Sequence, residues 1–162
     1  MWDWGDGSYT DWLGPYVSGD MICVSKSWSE DGTYEIRVKL RDEFGFESEW
    51  SDPFIIVIES EPPNIQITKP INAIYYGNNK IIPFFIPLII GYINVEVYAS
   101  DAISGVELVE FYIDNEFQAN DTRAPYLWIW TEKKFSKHKL EVIAYDFAGN
   151  RNREELVVWK FF

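Results

Sequence analysis

Residues with wide chemical reach are sparse in this 162-residue chain. His138 is the only imidazole and Cys23 the only thiol, which excludes an internal disulfide, a cysteine-based zinc site and most His-dependent catalytic schemes. No Gly-x-Ser-x-Gly elbow supplies a serine nucleophile, and no glycine-rich loop precedes a helix to cradle phosphate. Carboxylates, by contrast, are so plentiful that the pair a glycosidase needs, about 5–9 Å apart, cannot be singled out. Two of them are distinguished by position. Asp101 and Asp146 each end a strand-like run at what would be one pole of a sandwich, and with Asn150 they would offer oxygens to Ca²⁺, which takes about six to eight. The same residues serve equally as Asx-type turns without metal, and the lack of a dense Asp-x-Asp-x-Asp run favours the turn. Asp3 and Asp6 carry the same pair of readings, with a stronger structural lean.

Aromatic side chains are the other resource, with eight Trp, ten Tyr and eleven Phe. Tyr126, Trp128 and Trp130 fall on one face of a strand, while Leu127 and Ile129 fall on the other. Turned outward, the aromatic set would make a strip for stacking on sugar rings, flat and apolar with polar tips. Turned inward, it is core, which is the favoured direction. Trp2, Trp4, Trp12 and Tyr16 are read likewise, as packing. His138 stands where the first part of the chain has Tyr34, at the entry to the next-to-last strand. A corner side chain that hydrogen-bonds backbone suits such a strand entry, and that structural role is expected of it. Cys23, in the strand-like run Ile22-Cys23-Val24, reads as an inert small hydrophobe. Asn120-Asp121-Thr122 is a glycosylation sequon, consistent with a surface loop.

The elements that position these residues are strands. Over residues 33–41, Tyr34, Ile36, Val38 and Leu40 alternate without error with Thr33, Glu35, Arg37, Lys39 and Arg41, which is the mark of a half-buried strand. The pattern recurs at Ile93, Val95, Val97 and Ala99, at Val109, Phe111 and Ile113, and at Leu140, Val142 and Ala144. No window holds a 3.6-residue apolar stripe, and turn clusters come every eight to twelve residues or so, as in an all-β sandwich or barrel. Residues 81–93 are apolar but broken by Pro83, Pro87 and Gly91 and shorter than the about 20 residues of a spanning helix, so no membrane insertion is expected. This run is read as a partly buried, proline-rich connection entering a strand.

Glu59-Ser60-Glu61-Pro62-Pro63 interrupts the strand pattern and marks a linker over 59–63, with modules at 1–58 and 64–162. The two modules end alike. Arg41-Asp42-Glu43-Phe44-Gly45 and Tyr145-Asp146-Phe147-Ala148-Gly149-Asn150 each follow an alternating run, and Asp and Gly are both explained by turn mechanics. Asp101-Ala102-Ile103-Ser104-Gly105 is a third use.

Trp2-Asp3-Trp4-Gly5-Asp6-Gly7, then Gly32-Thr33-Tyr34, then Asp42 with Gly45, resembles the polycystic-kidney-disease (PKD) repeat domain, an immunoglobulin-like β-sandwich. That family has about 30 further residues before the Trp-Asp motif, so the resemblance implies a first module lacking its opening strands, with exposed strand edges and apolar surface. Residues 64–162 resemble Ig-like modules of bacterial and, especially, archaeal surface proteins. The residues that carry this are Ala99-Ser100-Asp101 with Ser104-Gly105-Val106, Val109 to Asp114, Ala124-Pro125-Tyr126 with Trp128 and Trp130, and Ala144 to Asn150. The expected fold is therefore all-β, two tandem immunoglobulin-like β-sandwich modules, the first incomplete.

A formal charge of −12 has the wrong sign for gripping phosphate backbones or anionic lipid, so no nucleic-acid partner is expected. The charge concentrates in the first module, with four basic against twelve acidic residues through Ile58. No signal peptide is read in the opening residues. The resemblance implies an extracellular or cell-surface setting and a non-enzymatic role as spacer or adhesion unit at the C-terminal end of a larger protein. A surface polysaccharide or surface protein would be its partner, with no cofactor beyond Ca²⁺. The alternative is a carbohydrate-binding accessory module of a secreted hydrolase.

Overall fold

The alternating runs become strands, because residues two apart in an extended chain share one face and bury together. In the computed structural model, which describes all residues from Met1 to Phe162, every regular element is a strand. The chain divides into two units, Met1–Ser60 and Glu61–Phe162. The fold class is all-β and sandwich-like, as expected. No helix is long and apolar enough to cross a membrane.

Met1–Ser60 contains β1 (Trp2–Asp3), β2 (Gly32–Val38) and β3 (Phe54–Ile58), a three-stranded antiparallel sheet in the order β1-β2-β3. Of its apolar side chains only Trp4 and Ile36 are buried. Strand β2 stops at Val38, short of the alternation, and Leu40 is exposed. The Trp-Asp-Trp-Gly-Asp-Gly segment is a turn that docks on β2. The Gly5 amide donates to Asp3 Oδ1 at 3.0 Å and the Ser8 amide to Asp6 Oδ1 at 2.9 Å. Gly5 has φ +73°, and a Cβ there would sit 2.6 Å from the Glu35 amide nitrogen, so only glycine permits this approach.

Glu61–Phe162 contains, in chain order, β4 (Asn64–Lys69), β5 (Ala73–Tyr76), β6 (Asn79–Pro83), β7 (Leu88–Ile90), β8 (Ile93–Ser100), β9 (Val106–Ile113), β10 (Glu116–Asp121), β11 (Tyr126–Trp130), β12 (Ser136–Asp146) and β13 (Arg151–Phe161). They form a seven-stranded sheet in the order β10-β9-β12-β13-β7-β5-β6 and a three-stranded sheet in the order β11-β8-β4. The apolar run at 81–93 differs from its expectation. It contributes the end of edge strand β6, all of β7, which runs parallel to both β5 and β13, and the first residue of β8. Pro83 is tolerated because it closes an edge strand, where a missing N–H costs no central ladder bond.

The core lies between the two sheets. Ile67, Val95, Val97 and Trp130 face it from the small sheet, and Tyr75, Ile89, Phe111, Leu140, Val142 and Val158 from the large one. Each large apolar side chain withdrawn from water here contributes on the order of 1.5–3 kcal/mol.

The repeated hairpin is real at the atomic level. In both copies the Asp amide donates to the carbonyl four residues on (Phe46, 3.0 Å; Asn150, 3.1 Å). The Gly amide returns to the Asp carbonyl, Gly45 to Asp42 at 3.1 Å and Gly149 to Asp146 at 3.3 Å. The Asp101 loop has one more residue before its glycine, and there Asp101 Oδ1 accepts from the amides of Ile103 (3.1 Å) and Gly105 (2.7 Å).

Candidate functional site

Asp101 and Asp146 do converge. The Phe147 amide donates to the Gly105 carbonyl at 3.1 Å, which ties their two loops together, and the two side chains each place a carboxylate oxygen within 4.8 Å of the other. Asn150 joins them through its backbone amide, 2.8 Å from Asp146 Oδ1, and its side-chain Nδ2, 3.0 Å from Oδ2. Both oxygens of the buried Asp146 thus accept hydrogen bonds from Asn150. A carboxylate buried with that many donors is well satisfied as a turn. Each carboxylate accepts from its own loop, and the backbone bond from Phe147 to Gly105 links the two.

The aromatic strip faces the other way from a sugar platform. Trp130 is 0% exposed and Tyr126 7%, while Leu127 and Ile129 on the opposite face are 39% and 50% exposed. Trp128 is half-buried, stacked on Trp130 at 6.0 Å and tilted against Phe111 at 6.0 Å. The carbohydrate-stacking reading of Tyr126, Trp128 and Trp130 is therefore corrected. The seven-stranded sheet covers this face, and three large aromatics bury more apolar area than Leu127 and Ile129 would. What the outer face does offer is Tyr98, with Leu127 and Pro125 beside it, a single exposed ring in a shallow depression.

His138 is buried against the edge of Trp130, as a structural residue should be, but its partners differ from expectation. Nδ1 lies 2.6 Å from Asp114 Oδ2 and Nε2 lies 3.2 Å from Ser136 Oγ, so it bonds side chains rather than backbone. Asp114 occupies the β9–β10 hairpin at φ +53° and also accepts the Lys139 amide at 2.9 Å. Burial pushes the Asp114 carboxyl up, but the hydrogen bonds from His138 and the Lys139 amide outweigh it and hold the group below the ordinary carboxylate value. In Met1–Ser60 the corresponding Tyr34 does bond backbone, its hydroxyl donating to the Glu30 carbonyl at 2.8 Å.

Lys160 is another buried polar residue, one that periodicity did not mark. Its Nζ donates to the carbonyls of Gly91 (2.6 Å) and Phe162 (2.9 Å) and stands 5.3 Å from the centre of the Trp130 ring, while burial lowers its pKa. It ties β13 to the β7–β8 turn.

Met1–Ser60 also carries a groove. It holds about 510 Å³ and is lined by Trp4, Ile36, Val38, Phe54 and Ile56, by Arg37 and Asp52, and by residues 22–26 with Trp28. Cys23 lies exposed on that segment rather than packed as the small hydrophobe expected of it. The segment is extended, and its burial alternates: Ile22, Val24, Lys26 and Trp28 are half-buried, Cys23, Ser25 and Ser27 exposed. The alternation is visible in the sequence, but its lack of a pairing partner is not.

Residues 63–142 match the model of the bacterial Ig domain family. A comparison with curated proteins finds no match. Among solved structures, the fibronectin(III)-like modules of CbhA from Clostridium thermocellum are similar, with a TM-score of 0.52 and 20% sequence identity. The alignment covers 82% of this chain and 64% of that one, so the chain spans less than two thirds of its neighbour's length. At that identity the likeness speaks of fold alone. With the inter-sheet core and the tied loops described above, these matches place an Ig-like β-sandwich domain in Glu61–Phe162.

Proposed function

We propose that this chain is a non-catalytic spacer and adhesion unit of an extracellular or cell-surface protein, with a PKD-like module at Met1–Ser60 ahead of the Ig-like one. The observation that supports it best is the fate of the reactive side chains in Glu61–Phe162. Asp146 is held by Asn150, His138 by Asp114 and Ser136, and Trp130 by the core, so the groups suited to chemistry already hold the fold together. In this reading Asp101, Asp146 and Asn150 are turn residues. The docked Trp2 to Gly7 turn and the Tyr34 corner support the PKD-like assignment of the first unit. Partners would be neighbouring surface proteins or polysaccharides.

The test is incubation of the chain with cellulose, chitin, xylan and peptidoglycan, following both pull-down and release of reducing ends. Release of no reducing ends from any of them is expected. Hydrolysis that a single carboxylate substitution abolishes would overturn the non-enzymatic reading, and polysaccharide binding lost on Tyr98→Ala would favour a carbohydrate-binding accessory module instead.

A further inference from the structure

Residues 22–28 alternate like a strand, yet none of their backbone groups joins a ladder. What holds them against the sheet is side chains. Trp28 Nε1 donates to the Trp4 carbonyl at 3.3 Å, Lys26 Nζ donates to Ser8 Oγ at 2.9 Å, and Lys26 pairs with Asp6 at 2.6 Å. An extended segment with both edges open is a template for another strand, and proteins ordinarily protect such edges. Beside it the sheet face is also uncovered: Phe54 is 70% exposed, and Ile56 and Val38 are only half-buried. A strand added alongside residues 22–28 would lie over these residues, so one event would satisfy the backbone edge and cover the apolar floor.

Charge selects the occupant. Met1–Ser60 has four cations, and all are engaged within the unit. Lys26 pairs with Asp6, Arg37 with Glu35, Lys39 with Glu47, and Arg41 stacks 4.4 Å from the centre of the Trp12 ring. Thirteen acidic residues face those four. Lys26, Arg37 and Asp52 all line the groove, and its two cations are paired with Asp6 and Glu35. A second copy would bring the same negative excess to the same edge, whereas a basic segment would relieve it.

We propose that residues 22–28 are the docking edge for a donated β-strand. The donor is an extended segment of a partner polypeptide, with apolar residues alternating on its inner face and Lys or Arg on its flanks. This goes beyond the spacer reading and stands without it, since it rests on the first unit's edge and charge alone.

The test titrates the full chain with the peptide Lys-Val-Thr-Ile-Ser-Val-Thr-Lys, following tryptophan fluorescence and amide hydrogen exchange. Saturable micromolar binding is expected, with new protection at amides 22–28. It should weaken about tenfold or more with Glu in place of the two Lys, and likewise in Phe54→Ser, which removes apolar floor at an exposed position without adding charge. No binding at millimolar peptide, binding without protection at 22–28, or equal binding of the Glu-flanked peptide would overturn it. So would protection of 22–28 that appears without peptide as the chain is concentrated, which would make the occupant a second copy.

Discussion

Trp130 shows how little a residue's type says about its use. Its position in an alternating strand was legible, but its direction depended on the seven-stranded sheet lying over one face of β11, and no local pattern encodes that sheet. Trp130→Ala should destabilise Glu61–Phe162 by about 3–5 kcal/mol, read from chemical denaturation, because a ring wholly inside a close-packed core leaves a cavity. His138 was legible as a corner residue, whereas Asp114, twenty-four positions away, was not, because the antiparallel register of β9 and β12 brings them together. Asp114 also sets a pH dependence. Its carboxyl is held below the unfolded value near 3.8, so its contribution is present above that pH and is lost as the pH falls through the lower folded value. His138 and Lys134 are the cationic side chains acting on it. Acid titration of stability should accordingly show a steeper loss below about pH 4 in the wild type than in Asp114→Asn.

At the scale of elements, the longest alternations became β2, β8, β9 and β12, because period 2 is the direct image of one buried face. Strands β5, β6 and β7 were hidden, because a short continuous apolar run with prolines has no period to read. The turns were legible through Asp and Gly, and one glycine is indispensable for a reason beyond φ. Gly5→Ala should lower the thermal midpoint more than Gly149→Ala does. Both positions have positive φ, but only at Gly5 would the new Cβ strike backbone, while nothing lies within 4 Å of one at Gly149. The Asp101 and Asp146 loops carry a second expectation. If their oxygens serve turns alone, thermal melts in EDTA and in millimolar calcium should superimpose. A bound ion at about 100 times its dissociation constant would instead add about 2.7 kcal/mol of stability.

On the scale of the whole molecule, the two units differ in how completely each covers its own apolar surface. Glu61–Phe162 buries a continuous core between two sheets, whereas Met1–Ser60 buries only Trp4 and Ile36 and leaves β3 and residues 22–28 open. That contrast joins the account's two halves, a finished Ig-like domain whose reactive side chains are spent on its fold and a unit with an edge to offer. Amide hydrogen exchange resolved along the full chain tests it most directly. The expected result is slow exchange, near the global unfolding limit, in β8, β9 and β12, with fast exchange in β3 and residues 22–28. Equal protection across both units would contradict it.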